Sequence, residues 1–264
     1  MCRVLLCGRG GSGKSTLAAL LARYLAVNGR SVCVIDADES NESLPRMLGV
    51  PAPAMTLADE FGGREVISKW IECKNRDGNK AFCELFGGKG ELHVRDLPGS
   101  CVGGRDNLCL ISLGKIRKPK EGCACPFGVL GQHLIESLHE GGWVYIIDTD
   151  AGTEHIGRGL HECCDVFFPV LDLSFESVLF SRFINKIAEE QGKPCFSILN
   201  KAAREDLGKI GESISAGRIG DFVVFPNLPG IAEANLFGCP VPLEPGILPM
   251  LERMEALFVA ARTR

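Results

Sequence analysis

Residues 8–16, Gly8-Arg9-Gly10-Gly11-Ser12-Gly13-Lys14-Ser15-Thr16, are equipped to hold a triphosphate. Gly8, Gly13, Lys14 and Ser15 fit the spacing G-x-x-x-x-G-K-[ST]. Glycine lets the backbone curl until its N–H groups point inward at phosphate oxygens, and a following helix N-terminus adds partial positive charge. In that chemistry Lys14 reaches the β- and γ-phosphates and the Ser15 hydroxyl ligates Mg²⁺. Gly10, Gly11, Ser12 and Thr16 complete the cradle. Ile146-Ile147-Asp148 ends an apolar run on a carboxylate, where a second Mg²⁺-organising acid belongs beside such a loop. Gly152, shortly after it, can offer a backbone N–H to the γ-phosphate. Asp36 and Asp38 close another apolar run, and Asp38 is the stronger candidate to position the attacking water. Asn200 closes the run Ile198-Leu199 and is placed to hydrogen-bond an adenine edge.

A second chemistry is carried by Cys123-Ala124-Cys125. Two thiolates cannot close a tetrahedral site, which wants about four ligands. The chain has no second C-x-C or C-x-x-C. Two copies of the pair facing one another across a two-fold axis would supply the missing sulfurs. The helix expected to start at Pro126 adds positive character that favours thiolate. Soft thiolates suit Zn²⁺, Ni²⁺, Cu⁺ or an Fe–S cluster, and affinity order alone does not select nickel. His93, His133, His139, His155 and His161 show no paired spacing with the thiols.

These groups need a scaffold. Arg3 to Cys7 reads as a buried strand before the glycine-rich loop, and Leu17, Leu20, Leu21, Tyr24 and Leu25 recur at helical spacing after it. Further strands are expected at 31–35, 107–113, 143–147, 165–171, 194–199 and 222–225. Helices are expected after Pro126, over 174–191 with Ser174 as N-cap, over 204–215 and over 247–261. Glu91 to Arg95 alternates like a strand, and glycines punctuate the segment around it. The expectation is an α/β fold, a mostly parallel sheet with helices on both faces, as one domain over 1–264 with a small strand-rich insertion at about 73–116.

Of 264 residues, 45% are apolar and the formal net charge is −4, so no basic surplus points to nucleic acid. No apolar stretch approaches the ~20 residues that span a bilayer. The first strand starts directly after Met1, leaving no room for a leader, and a cytoplasmic location is expected. Thirteen cysteines in a chain of this size point to reduced thiols rather than an exported disulfide scaffold. Cys7, Cys33 and Cys195 fall in strands and are expected to pack as small hydrophobes.

The loop at 8–16 resembles the deviant Walker A loop of the MinD/ParA and nitrogenase iron-protein class. Asp148-Thr149-Asp150-Ala151-Gly152 resembles that class's D-T-x-A-G switch. Pro226, with Ala232 to Asn235 and Gly238-Cys239-Pro240, resembles its nucleotide-side C-terminal loop. The longer run from Asp148 through His155, Arg158 and Gly159, together with Gly122-Cys123-Ala124-Cys125-Pro126, is similar to the CooC family, the nickel-insertion accessory ATPases of carbon monoxide dehydrogenase. The resemblance implies ATP and ADP as nucleotides, Mg²⁺, a Ni²⁺ or Zn²⁺ ion held by Cys123 and Cys125 in a homodimer, and a Ni–Fe–S client enzyme. It also implies a trans role for residue 9, where the class carries a signature lysine and this chain has Arg9. Arginine keeps the charge and can act as an arginine finger. An iron-protein-like reductase with a bridging Fe–S cluster is one alternative, although residues 149–162 lack the cluster cysteine of that pattern. A MinD/ParA-like positioning ATPase is the other, and it leaves the C-x-C without a purpose.

Overall fold

The computed structural model describes residues 1–72, 91–118, 122–139, 141–202 and 222–261, together with 82, 83, 86 and 120. Strand β1 (Cys2–Gly8) is apolar at almost every position because both of its faces are covered. Val4 and Leu6 join one core layer with Leu17, Leu20 and Leu21 of helix α1 (Lys14–Val27). Leu5 and Cys7 point the other way, into a second layer with Leu130 and Leu134. The same alternation splits Val32 and Val34 from Cys33 and Ile35 in β2 (Val32–Ala37). The second layer also contains buried Cys33, Cys101, Cys109, Cys163 and Cys164, which pack as small hydrophobes.

After β2 come three helices, α2 (Leu44–Leu48), α3 (Leu57–Glu60) and α4 (Arg64–Glu72). Strands β3 (Val102–Arg105) and β4 (Leu108–Ser112) follow, then α5 (Cys125–Ser137), β5 (Val144–Ala151) and the short α6 (Glu154–Gly157). The chain continues through β6 (Val166–Leu171), α7 (Phe175–Glu190), β7 (Ser197–Ala202) and β8 (Phe222–Pro226) to α8 (Pro229–Phe237) and α9 (Leu248–Ala261). The described strands form one eight-stranded sheet in the order β3-β4-β2-β5-β1-β6-β7-β8, parallel throughout except at β3–β4. This is the expected α/β architecture. Ser174 caps α7 by accepting from Ser177 N at 3.2 Å. Leu251, Met254, Leu257 and Phe258 of α9 are buried in the first core layer, so that face is spoken for by the sheet. No helix among the described residues is long and apolar enough to cross a membrane.

Two expectations change. Glu91 to Arg95 is not a strand: Leu92 makes a single bridge to Leu138, and Val94–Asp96 is a 3₁₀ turn closed by His93 N donating to Asp96 Oδ2 at 2.8 Å. The alternating burial of Leu92 and Val94 is real, but a side-chain cap takes the backbone away from extension. Second, β4 pairs in parallel with β2 inside the central sheet, so residues 102–112 extend that sheet rather than form a separate insertion. Most of 73–90 and the helix expected at 204–215 lie outside the described residues.

Parallel strands place their C-terminal ends at one edge, where ligands bind in open α/β sheets. Gly8, Asp36, Asp148, Asn200 and Pro226 all leave the sheet there, and Asp36 stands directly opposite Asp148 in the β2–β5 register.

Candidate functional site

The loop after β1 is shaped by two left-handed glycines, Gly11 (φ 78) and Gly13 (φ 95). Gly8 and Gly13 are glycine for want of space as well. A Cβ at 8 would come 2.6 Å from Ser12 Oγ and from the Val170 carbonyl, and one at 13 would come 2.2 Å from Asn200 Nδ2. The loop carbonyls are tied down from outside: Asn200 Nδ2 donates to Ser12 O at 2.7 Å, and Lys201 Nζ donates to Gly11 O at 2.8 Å. Carbonyls held outward leave the N–H groups to line a concave anion site at the start of α1.

Lys14 is buried and its ammonium lies 3.7 Å from Asp38 Oδ2. The other Asp38 oxygen accepts from Ser40 N (2.9 Å) and Ser40 Oγ (2.6 Å). Ser15 Oγ accepts from Asn41 Nδ2 at 3.1 Å, which ties the loop after β2 to the first turn of α1. Asp148 is fully buried, and neither carboxylate oxygen has a hydrogen-bond partner. Burial raises its pKa to about 7, against the pull of Lys14 and Ser15. A buried, unpartnered carboxylate beside a serine hydroxyl is a hard oxygen set that suits Mg²⁺.

Asp36, its neighbour across the sheet, is pushed to about 6 by burial, opposed by Lys115. Lys115 was not foreseen. It lies just beyond β4, with Nζ 2.7 Å from Asp36 Oδ2 and 2.6 Å from the Asp38 carbonyl, and it also bonds the Asn41 carbonyl. A lone basic residue just past an apolar strand end, as in Leu113-Gly114-Lys115, was the available signal.

On the other side of the loop, a cleft of about 190 Å³ runs between Gly13, Thr16, Asn200, Pro226, Leu228 and Asn235. Asn200 and Pro226 line the same cleft. The Asn200 amide nitrogen is committed to the loop, so its oxygen is the group left to face a base. Asn235 Nδ2 donates to Thr16 Oγ1 at 3.2 Å and closes the cleft onto α1. The expected Gly152 contact is not in place. Its N–H donates to Gly8 O at 3.1 Å, because a left-handed turn (φ 92) folds the end of β5 back onto β1. Arg9 is exposed at the loop tip.

Cys123 and Cys125 are both exposed, with Cys125 the first residue of α5. Their thiols share a hydrogen bond, which lowers the pKa of Cys123 and raises that of Cys125. Arg64 Nη2 stands 4.0 Å from Cys123 Sγ. Two sulfurs this close can converge on one soft ion, and their exposure leaves the remaining positions to ligands from elsewhere. Arg158, part of the motif run but given no role there, connects this corner to the nucleotide edge. Its Nη1 lies 3.2 Å from Asp150 Oδ2 and 3.6 Å from Glu39 Oε2. His155 is fully buried with Nδ1 3.4 Å from Asp150 Oδ1.

A family model described as ParA, NUBPL iron-transfer P-loop NTPase, matches residues 2–64. The chain is 38% identical over 237 residues to the uncharacterized ATP-binding protein MJ0084 of Methanocaldococcus jannaschii, covering 89% of this chain and 92% of that one. It is 31% identical over 217 residues to the carbon monoxide dehydrogenase accessory protein CooC of Rhodospirillum rubrum, covering 79% and 78%. Among solved structures, the septum site-determining protein MinD of Pyrococcus horikoshii, complexed with Mg-ADP, shares the fold with a TM-score of 0.68 at 16% identity over 98% of both chains.

Proposed function

The chain belongs to the MinD/ParA class of P-loop NTPases and is an ATPase of that class; from this premise we propose that it is a homodimeric, ATP-driven metal carrier. It would act in the cytoplasm, as a single domain over 1–264, and deliver nickel to a Ni–Fe–S client of the carbon monoxide dehydrogenase type. The observation that carries this reading is the exposed, hydrogen-bonded thiol pair at the start of α5. The 31% identity to a carbon monoxide dehydrogenase accessory protein supports the client class. The iron-transfer description attaches to residues 2–64, which contain neither Cys123 nor Cys125 and so do not bear on the cargo.

In this reading Lys14 leaves Asp38 for the β- and γ-phosphates when ATP enters the cradle formed by residues 8–16. Asp148 and Ser15 would hold Mg²⁺, and the ion would supply charge neutralisation at the phosphate oxygens. Asp38, released from Lys14, orients water for attack on the γ-phosphorus. The bond to the β–γ bridging oxygen breaks, and ADP and phosphate remain. Asn200 and Pro226 bound the adenine, and Arg9 reaches the nucleotide of the partner subunit. For Gly152 to donate to the γ-phosphate it must first release Gly8 O, which makes that contact one formed on ATP binding. Cys123 and Cys125 of two subunits then enclose one cargo ion, either Ni²⁺ or Zn²⁺.

The test is metal analysis of protein purified without oxygen, with and without ATP. One divalent ion per dimer is expected, lost in Cys123→Ser and Cys125→Ser while monomer folding and ATP binding remain. One ion per monomer, or unchanged metal in the double variant, would overturn the carrier reading. An Fe–S absorption band would favour a reductase.

A further inference from the structure

Arg158 caps α6, and its side chain is only 7% exposed. Three carboxylates converge on it. Asp150 and Glu39 meet Nη1, and Glu154 Oε2 pairs with Nη2. These three acids stand close enough together to hold a metal ion, and the guanidinium is the cation they share, pairing with each of them. The aliphatic stem of Arg158 lies against α5. A Cβ at Gly128 would come 2.6 Å from Arg158 Cδ, so residue 128 is glycine to admit it. Cys123 and burial raise the pKa of Cys125, and the charge of the nearby Arg158 works against that rise.

Both acids on Nη1 belong to segments that nucleotide must disturb. Glu39 follows Asp38, which loses Lys14 to the phosphates. Glu39 is otherwise fixed through its carbonyl, which accepts from Ile116 N at 3.2 Å. Asp150 lies two residues beyond Asp148 on the same strand end. One buried side chain thus touches the loop after β2, the end of β5 and the thiol-bearing helix. Packed contacts of this kind shift between discrete arrangements rather than deform continuously.

We propose that Arg158 is a positioning residue that transmits the nucleotide state from Glu39 and Asp150 to Cys125. When Lys14 moves to phosphate and Mg²⁺ draws on Asp148, Glu39 and Asp150 change their hold on Arg158, and Arg158 changes its hold on Cys125. The biological meaning rests on the thiols being the cargo site, but the link itself does not require a metal. Reciprocity follows: an ion that repositions Cys125 alters nucleotide affinity by the same factor.

The test is pulse labelling of metal-free, reduced protein with N-ethylmaleimide, read at the peptide carrying residue 125 in a Cys123→Ser background. It is run with and without Mg-ADP, at a dilution where sedimentation shows monomers, so that no partner shields the thiol. With Arg158 intact, nucleotide changes the Cys125 labelling rate by roughly fivefold or more. Arg158→Gln removes that dependence while nucleotide still binds and the exposed Cys239 labels at its usual rate. Glu39→Gln, which cuts the link from the nucleotide side, weakens the dependence, and Arg158→Lys restores part of it. These two variants decide the matter if Arg158→Gln does not fold. A nucleotide dependence that keeps its full size in Arg158→Gln or in Glu39→Gln, or one absent with Arg158 intact, overturns the proposal. A thiol pair that binds no ion in the metal analysis would instead sink the carrier reading and leave the labelling result standing.

Discussion

Lys115 Nζ sits 2.7 Å from Asp36 Oδ2, and this buried pair fixes the loop that carries the water-positioning candidate. The same ammonium bonds the carbonyls of Asp38 and Asn41, so one side chain from the end of β4 holds both ends of the turn after β2. Asp38 faces Lys14 from that turn, and Asn41 donates to Ser15. The phosphate loop and the loop after β2 are therefore set relative to each other by Lys115.

Replacing Lys115 by Met leaves Asp36 buried without its cation. Breaking one side of a buried pair costs on the order of 3–5 kcal/mol. Denaturant unfolding should show a loss of that order, and ATPase turnover should fall at least about tenfold through misplacement of Asp38. Adding Asp36→Asn should recover stability but not turnover, because the carbonyls of Asp38 and Asn41 still lack their donor. Recovery of both would mean that Lys115 acts only on stability.

Asp148 gives apo stability a pH dependence of defined sign. Its folded pKa is raised to about 7 by burial, so the folded state keeps a proton that the unfolded chain loses near about 4. Stability is fully present below the unfolded value and falls as pH rises towards 7. Asp148→Asn cannot titrate and should flatten that slope, leaving the smaller part due to Asp36 at about 6. Mg-nucleotide affinity should move the opposite way, rising through pH 7 as the carboxylate ionises. Urea midpoints at about pH 5 and about pH 8 that shift equally in both proteins would remove Asp148 from this role.

Asn200 is asked to do two things with one amide. Asn200→Asp keeps an acceptor for a base but turns the donor to Ser12 O into a second acceptor. Two acceptors facing at 2.7 Å should open the loop, so ATP affinity should fall by roughly tenfold or more, as expected for a lost buried bond plus repulsion. Asn200→Ala should fall less. An Asp variant that binds ATP like the parent, measured by titration calorimetry, would show that the loop is held by other contacts.

Arg9 is exposed at the loop tip, which leaves it free to reach the nucleotide of a partner subunit. Arg9→Ala should bind ATP within one subunit and hydrolyse it slowly. Lys14→Ala should lose binding and turnover. Mixed dimers of the two have one nucleotide-competent site that receives Arg9 from its neighbour, and some activity should return. Proven mixed dimers with no recovery would assign Arg9 a local role.

The sequence alone determined the phosphate loop, the strand-end carboxylates, the α/β order and the C-x-C pair. Each is a local signal: Gly11 and Gly13 mark a backbone shape, Asp148 ends an apolar run, and Cys123 and Cys125 sit one residue apart. Tertiary structure decided which distant groups meet. Lys115 and Asp36 come from strands whose partnership depends on β4 joining the sheet beside β2, and residues 91–116 gave no periodicity that fixes that register. Arg158 reaches Glu39, Asp150 and Cys125 only because α5 carries Gly128 where its stem must pass. The Gly152 N–H turned to Gly8 O for the same kind of reason. A backbone donor bonds whichever acceptor the packed chain brings within reach, and local sequence does not carry that distance.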